Sequence, residues 1–132
     1  MDRPGYACGM TRFLAVAAGG ALGSMARYAV GLMMAGVWKR EFPLATFLIN
    51  VSGSFVLGFF VAWGAERVTI DPLWRLLVTT GFLGAYTTFS TFEMETHALT
   101  DAGAVGLALL NVIGSVVAGF IAIHLGIALA RR

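Results

Sequence analysis

The run Gly81-Phe82-Leu83-Gly84-Ala85-Tyr86-Thr87-Thr88-Phe89-Ser90-Thr91-Phe92-Glu93 lies inside an apolar segment covering about 73–99. Glycine, tyrosine and two β-branched threonines within 84–88 make a poor helical mixture. The run therefore predicts a helical break within a membrane span. Lipid cannot hydrogen-bond the N–H and C=O groups that a break releases. Irregular backbone survives at that depth only where protein, a cavity or an ion supplies partners. A chain carrying such a break has to build something polar around it, and function is expected there.

The rest of the sequence agrees with a membrane setting. Hydrophobic residues make up 58% of the 132 and charged residues 12%, with mean hydropathy +0.83, too apolar for an ordinary soluble domain. Four apolar stretches, about 13–37, 43–65, 72–99 and 105–130, each approach the roughly 20 residues that cross a hydrocarbon core. Short connections leave no soluble domain, so 1–132 reads as one polytopic, all-α membrane domain. The basic residues are scattered and form no nucleic-acid stripe. The lone Cys8 cannot make an internal disulfide. Arg3, Arg12, Arg67, Arg75, Arg131 and Arg132 flank the side of the termini and second loop, against Lys39 and Arg40 in the first loop and none in the third. That bias favours cytoplasmic termini.

Polar residues recur with helical spacing. In the first span Gly20, Ser24, Arg27 and Gly31 share a face, and small residues there admit a neighbouring helix. Arg27 lies within the apolar run, where an ionised guanidinium at the helix centre costs about 2.5 to 3.5 kcal/mol, so it is expected to face protein or water. It either anchors assembly or draws an anion into a vestibule. Thr46, Asn50 and Ser54 stack on one face of the second span. Asn50 needs partners in hydrocarbon; its amide fits either interhelical bonding or an anion pathway.

In the third span, Leu73 to Leu83 reads as an ordinary apolar helix leading to the break. Carbonyls freed at the break suit a hard cation, unless threonine back-bonding satisfies them. Phe89 and Phe92 share a face beyond it. They are either core rings or ring edges whose positive rim can partly replace water around an anion. Glu93, Glu95 and His97 fall near that span's end. In the fourth span Asn111, Ser115 and Gly119 make a contact surface or polar track, and Thr100 or Asp101 is placed to cap its start. The sequence holds no phosphate loop, no metal-spaced Cys/His set and no grouped nucleophile, base and acid, so an enzyme is not expected.

Taken together, Ala26-Arg27-Tyr28, Leu48-Ile49-Asn50-Val51-Ser52-Gly53-Ser54-Phe55 and the run from Gly81 to Glu93 resemble the Fluc/CrcB family of fluoride channels, across essentially the whole chain. The resemblance implies a homodimer of four-helix subunits in opposite membrane orientations, each with a broken third helix, and two fluoride pores per dimer. It implies that the Gly84 and Thr87 carbonyl oxygens of both copies hold one structural sodium ion. Along the fluoride pathway it places Asn50 as donor, Phe89 and Phe92 as rings, Ser90 and Thr91 as hydroxyls and Ser115 in a polar track. Arg27 would stand at a vestibule and Glu95 near the pore. The expected setting is the plasma membrane, the inner membrane in a Gram-negative cell, and the expected activity is passive export of fluoride. The alternatives are a small multidrug/proton antiporter, which needs a carboxylate where this first span carries Arg27, and a subunit whose polar residues only pack helices.

Overall fold

The computed structural model describes residues 4–66 and 70–132. Every element among them is helical: α1 (Pro4–Val37), α2 (Leu44–Glu66), α3 (Pro72–Arg75), a π-helical stretch π1 (Leu76–Leu83), α4 (Gly84–Tyr86), α5 (Phe89–Asp101) and α6 (Val105–Ala130). Arg3 and Arg67, both counted in the basic bias, lie outside the described residues. Gly9–Val37, Leu44–Ala65 and Val105–Ala130 are each long and apolar enough to cross a membrane. The third segment is divided: α3, π1 and α4 run into one another, and α5 follows after Thr87 and Thr88.

Local chemistry sets these boundaries. Asp71 caps α3 by accepting the Leu73 N–H at 2.7 Å, and Pro72 occupies the first turn, where its missing N–H is no loss. At the other end of the segment, Gly103 takes φ 76°. The Ala104 N–H then reaches the Leu99 carbonyl at 2.9 Å, stopping α5 in a tight turn. α6 starts at Val105, with Ala104 as a cap that makes no side-chain bond. The expected cap from Thr100 or Asp101 is therefore not made. Thr100 donates back to the Thr96 carbonyl at 3.0 Å, and Asp101 lies 3.4 Å from His97.

Packing runs through glycines. α2 lies along α6, where a Cβ on Gly58 would strike the Ile123 carbonyl and one on Gly126 the Phe55 carbonyl. α1 lies on π1, where a Cβ on Gly19 would meet the Leu77 carbonyl and one on Gly23 the Phe82 carbonyl. One expectation is corrected here. The stretch Leu76–Leu83 is π-helical rather than ordinary α-helix, and its wider turn sets the Leu77 and Phe82 backbone directly against α1. The seam passes through Gly19, Gly20 and Gly23, a Cβ on Gly81 coming within 3.2 Å of the Gly20 N, while Ser24, Arg27 and Gly31 of the predicted face lie away from it. Ser24 is exposed, and nothing lies within 4 Å of a Cβ at Gly31.

The interior suits a lipid solvent. Leu22, Met25, Ile113 and Phe120 face outward, while Thr46, Thr88 and Asn111 are buried. Close backbone approach and hydrogen bonds hold the helices where apolar burial offers no drive.

Candidate functional site around the helical break

Thr87 (φ −76°, ψ 156°) and Thr88 (φ −150°, ψ 123°) are both extended, so the break is two residues long and lies at the C-terminal edge of the predicted 84–88. Gly84 remains helical. An amide from the neighbouring helix holds the break open. Asn50 Nδ2 donates to the Thr88 carbonyl at 3.0 Å, and Asn50 Oδ1 accepts the Thr88 N–H at 2.9 Å. Thr88 Oγ1 accepts the Thr91 N–H at 3.3 Å, capping α5, and donates to Thr91 Oγ1 at 3.0 Å. The Leu83 carbonyl accepts both the Thr87 N–H at 3.0 Å and the Thr87 hydroxyl at 2.9 Å.

These bonds leave a defined remainder. In a continuous helix the Thr88, Phe89, Ser90 and Thr91 N–H groups would serve the Gly84, Ala85, Tyr86 and Thr87 carbonyls, four residues earlier; the Thr88 and Thr91 donors are diverted to side-chain oxygens. Gly84 and Thr87 line a groove of about 320 Å³ together with Asn50, Ser54, Thr88 and Phe89. Their carbonyls fit a hard cation. No group of three His, Cys, Asp or Glu side chains gathers elsewhere among the described residues. On the other side of the break, the Phe89 and Ser90 N–H groups begin α5 without intrahelical acceptors. That end carries positive partial charge and favours an anion. The break thus sets oxygen acceptors against N–H donors across two residues.

The remaining predicted residues divide between this groove and other faces. Phe89 and Phe92 adjoin, with centroids 5.7 Å apart and planes at 40°. Phe89 is 73% exposed and Phe92 only 7%. Ser90 and Thr91 lie exposed on the outer side of α5. Asn50 has one N–H beyond its bond to Thr88, since its amide carries two. Glu95 lies toward the other end of α5, in a separate cavity of about 500 Å³ that it shares with Trp38 and Arg40. Its Oε1 accepts from Thr46 at 2.9 Å, and its Oε2 is buried without a hydrogen-bond partner. Arg27 is half-exposed on α1 and lines neither cavity. Ser115 donates to Asn111 Oδ1 at 3.4 Å. Asn111, 1% exposed, donates to Thr96 Oγ1 at 2.9 Å, and Thr96 donates to the Phe92 carbonyl at 2.8 Å.

The fourth-residue spacing is thus realised on both helices. Thr46 and Asn50 reach the third segment, as does Asn111. Sequence reasoning left out Thr88 as the clamped residue and Thr96 as the link from α6 to the Phe92 backbone. The first had a signal, since the second of two threonines at a break is placed to cap the helix that follows. The second had none, because Thr96 sits in an unremarkable helical stretch.

A family model described as "CrcB-like protein, Camphor Resistance (CrcB)" matches residues 14–127. The chain is 44% identical over 121 residues to a protein of Solibacter usitatus (strain Ellin6076) named "Fluoride-specific ion channel FluC", covering 92% of this chain and 99% of the relative. It is 46% identical over 120 residues to a "Fluoride-specific ion channel FluC 2" of Nitrobacter hamburgensis, covering 91% and 97%. It is also 47% identical over 117 residues to one of the same name in Symbiobacterium thermophilum, covering 89% and 95%.

Proposed function

The chain belongs to the CrcB family, and from that membership we propose that this multi-pass membrane protein is a fluoride-selective passive channel. In this reading it exports cytoplasmic fluoride and so confers fluoride resistance. The observation that carries the reading is the clamped break. Asn50 fixes Thr88, and Phe89, the first residue of α5, lines the same groove.

The electrostatics favour export without an energy source. Hydrogen fluoride crosses membranes neutral and dissociates in a more alkaline cytosol, which traps the anion. An inside-negative potential favours expulsion of one charge by about 2.3 kcal/mol per 100 mV. Fluoride is small and strongly hydrated, so a pore has to replace much of its water yet release it. The free Asn50 N–H, the α5 N-terminus and ring edges from Phe89 and Phe92 supply weak, dispersed donors. The Ser90, Thr91 and Ser115 hydroxyls extend the path, Arg27 concentrates anions at a vestibule, and Glu95 stands near one pore mouth.

The working unit in this reading is a homodimer in opposite membrane orientations with two pores. Thr80, Gly84, Ser90 and Thr91 are exposed on the single chain, and polar surface at membrane depth calls for a covering partner. The Gly84 and Thr87 carbonyls of both copies would hold a structural sodium ion, whose charge ties the two breaks together.

Fluoride efflux from liposomes reconstituted with the purified protein tests the reading. A potassium gradient with valinomycin clamps the potential, and a matched chloride experiment runs beside it. Fluoride release without chloride release is expected. Folded protein that releases no fluoride would return the antiporter or the purely structural subunit to the front.

A further inference from the structure

At the end of α1 the chain folds back on itself. Trp38 Nε1 donates to the Phe42 carbonyl at 2.8 Å, and the Arg40 guanidinium carbon lies 5.6 Å from the Trp38 ring centroid. Together with Lys39, Glu41, Leu107 and Leu110 these residues wall a cavity of about 620 Å³ between the first loop and the start of α6. It shares no residue with the groove at the break, and it adjoins the Glu95 cavity through Trp38, Arg40, Glu41 and Phe42. Lys39 and Arg40 are exposed, and among the described residues neither lies within ion-pair distance of a carboxylate.

We propose that this cavity binds an anionic phospholipid, with its phosphate on Lys39 and Arg40 and an acyl chain along Leu107 and Leu110. Charge and depth together select that occupant. Two cations and the single carboxylate of Glu41 leave the rim with a net +1, matched to one phosphodiester. Trp38 closes a membrane-crossing helix, the position at which tryptophan marks the headgroup level. Leu110, 55% exposed on α6, continues the cavity as an apolar wall into the hydrocarbon. A soluble anion would gain nothing from that wall. A zwitterionic lipid would bring its own cation against the two basic side chains. The cation–π contact keeps the guanidinium near the ring, so less side-chain freedom is lost when it meets a phosphate.

Lipid retention by the intact protein in uncharged detergent, read by native mass spectrometry, tests this. Phosphatidylglycerol and phosphatidylcholine of identical acyl chains are titrated separately. The wild type is expected to retain phosphatidylglycerol more tightly. Lys39→Gln and Arg40→Gln should each weaken that retention about fivefold, the equivalent of about 1 kcal/mol for a basic side chain at an anionic surface, and leave phosphatidylcholine unchanged. Leu110→Gln should weaken both lipids. Arg12→Gln, a charge change near the opposite end of α1, should change neither. Equal retention of the two lipids overturns the proposal. So does a phosphatidylglycerol preference that survives both loop substitutions, or one lost equally in Arg12→Gln. Displacement of phosphatidylglycerol by millimolar inorganic phosphate would mark a soluble-anion site and overturn it as well. Circular dichroism of each variant without added lipid confirms that the comparison is among folded proteins.

Discussion

Replacing Asn50 by leucine tests whether one side chain holds the break. Leucine has similar bulk and no polar atoms, so little cavity opens and the loss is that of two hydrogen bonds, at 3.0 and 2.9 Å. Side-chain hydrogen bonds within membranes average only about 0.6 kcal/mol, which sets a floor of about 1.2 kcal/mol for the pair. Leaving a buried donor or acceptor unmade costs about 1–3 kcal/mol, which sets a ceiling of about 6 for two. Thr88 is 8% exposed, and both of its affected groups belong to the backbone, so they cannot swing away to other partners. The expected loss is therefore about 2 to 5 kcal/mol. Part of it is recoverable if the Thr88 N–H returns to the Gly84 carbonyl and the break closes into helix, but that would bury the carbonyl the groove exposes. Equilibrium unfolding of the detergent-solubilised protein in sodium dodecyl sulfate, followed by tryptophan fluorescence, measures the change. Fluoride flux in liposomes should fall alongside it. A variant within about 0.5 kcal/mol of wild type would refute the argument, because Thr88 would then have found equivalent partners without Asn50.

Three further outcomes are expected. Gly19→Ala and Gly23→Ala place a methyl against the Leu77 and Phe82 carbonyls and should cost about 1–3 kcal/mol by overpacking. Gly36→Ala, with nothing within 4 Å, should instead raise the melting temperature slightly through helix propensity; equal melting across the three would contradict the seam. Phe89→Ile and Phe92→Ile should fold and lose fluoride flux in the liposome assay, with flux near wild type in both counting against the ring pathway. Thr46→Val removes the one hydroxyl that reaches Glu95 and should destabilise by about 1–3 kcal/mol. Adding Glu95→Leu should abolish most of that penalty in the same unfolding assay, whereas additive losses would show that the pair does not interact.

How much of this was legible in the sequence depended on whether a feature was local. The Thr46, Asn50 and Ser54 spacing was enough to say that these side chains share a face, because a helix fixes direction by period alone. The composition of 84–88 located the break to within a few residues. That it opens only at Thr87 and Thr88 depends on which N–H the Asn50 amide captures, and Asn50 is 38 positions away. The π-helical turn was not legible either. The small residues of the first span announced a close helix contact, and Gly19, Gly20 and Gly23 make it, but nothing in residues 76–83 signals the π-turn they meet. The cap of α6 failed similarly. Thr100 and Asp101 have suitable chemistry for a cap, yet the left-handed turn at Gly103 starts the helix beyond their reach. Whether one copy or two complete the pathway turns on contacts between chains, which a periodicity within one chain does not encode.

The break also explains how a channel can manage without a buried cation along its path. The Thr87 N–H keeps its helical bond to Leu83, and two of the displaced donors are paired with side chains: Thr88 with Asn50 and Thr91 with the Thr88 hydroxyl. What remains is ordered by direction. Carbonyls of Gly84, Ala85, Tyr86 and Thr87 lie on the α4 side, and N–H groups of Phe89 and Ser90 lie on the α5 side. An extra ionised lysine in this region would hold fluoride strongly and slow its release, whereas two N–H groups and ring edges offer fractional charges that need no counter-ion. In the proposed reading the leftover oxygens would hold a cation on the far side of two residues, off the anion's route. Asn50 is what makes this separation possible. Its amide serves the two Thr88 groups that face α2, so the acceptor and donor ends can point elsewhere. On this reasoning, substitutions at Asn50 couple the cation-facing and anion-facing sides of the break, and a variant that keeps full flux after losing the clamp would show that the two sides are built independently.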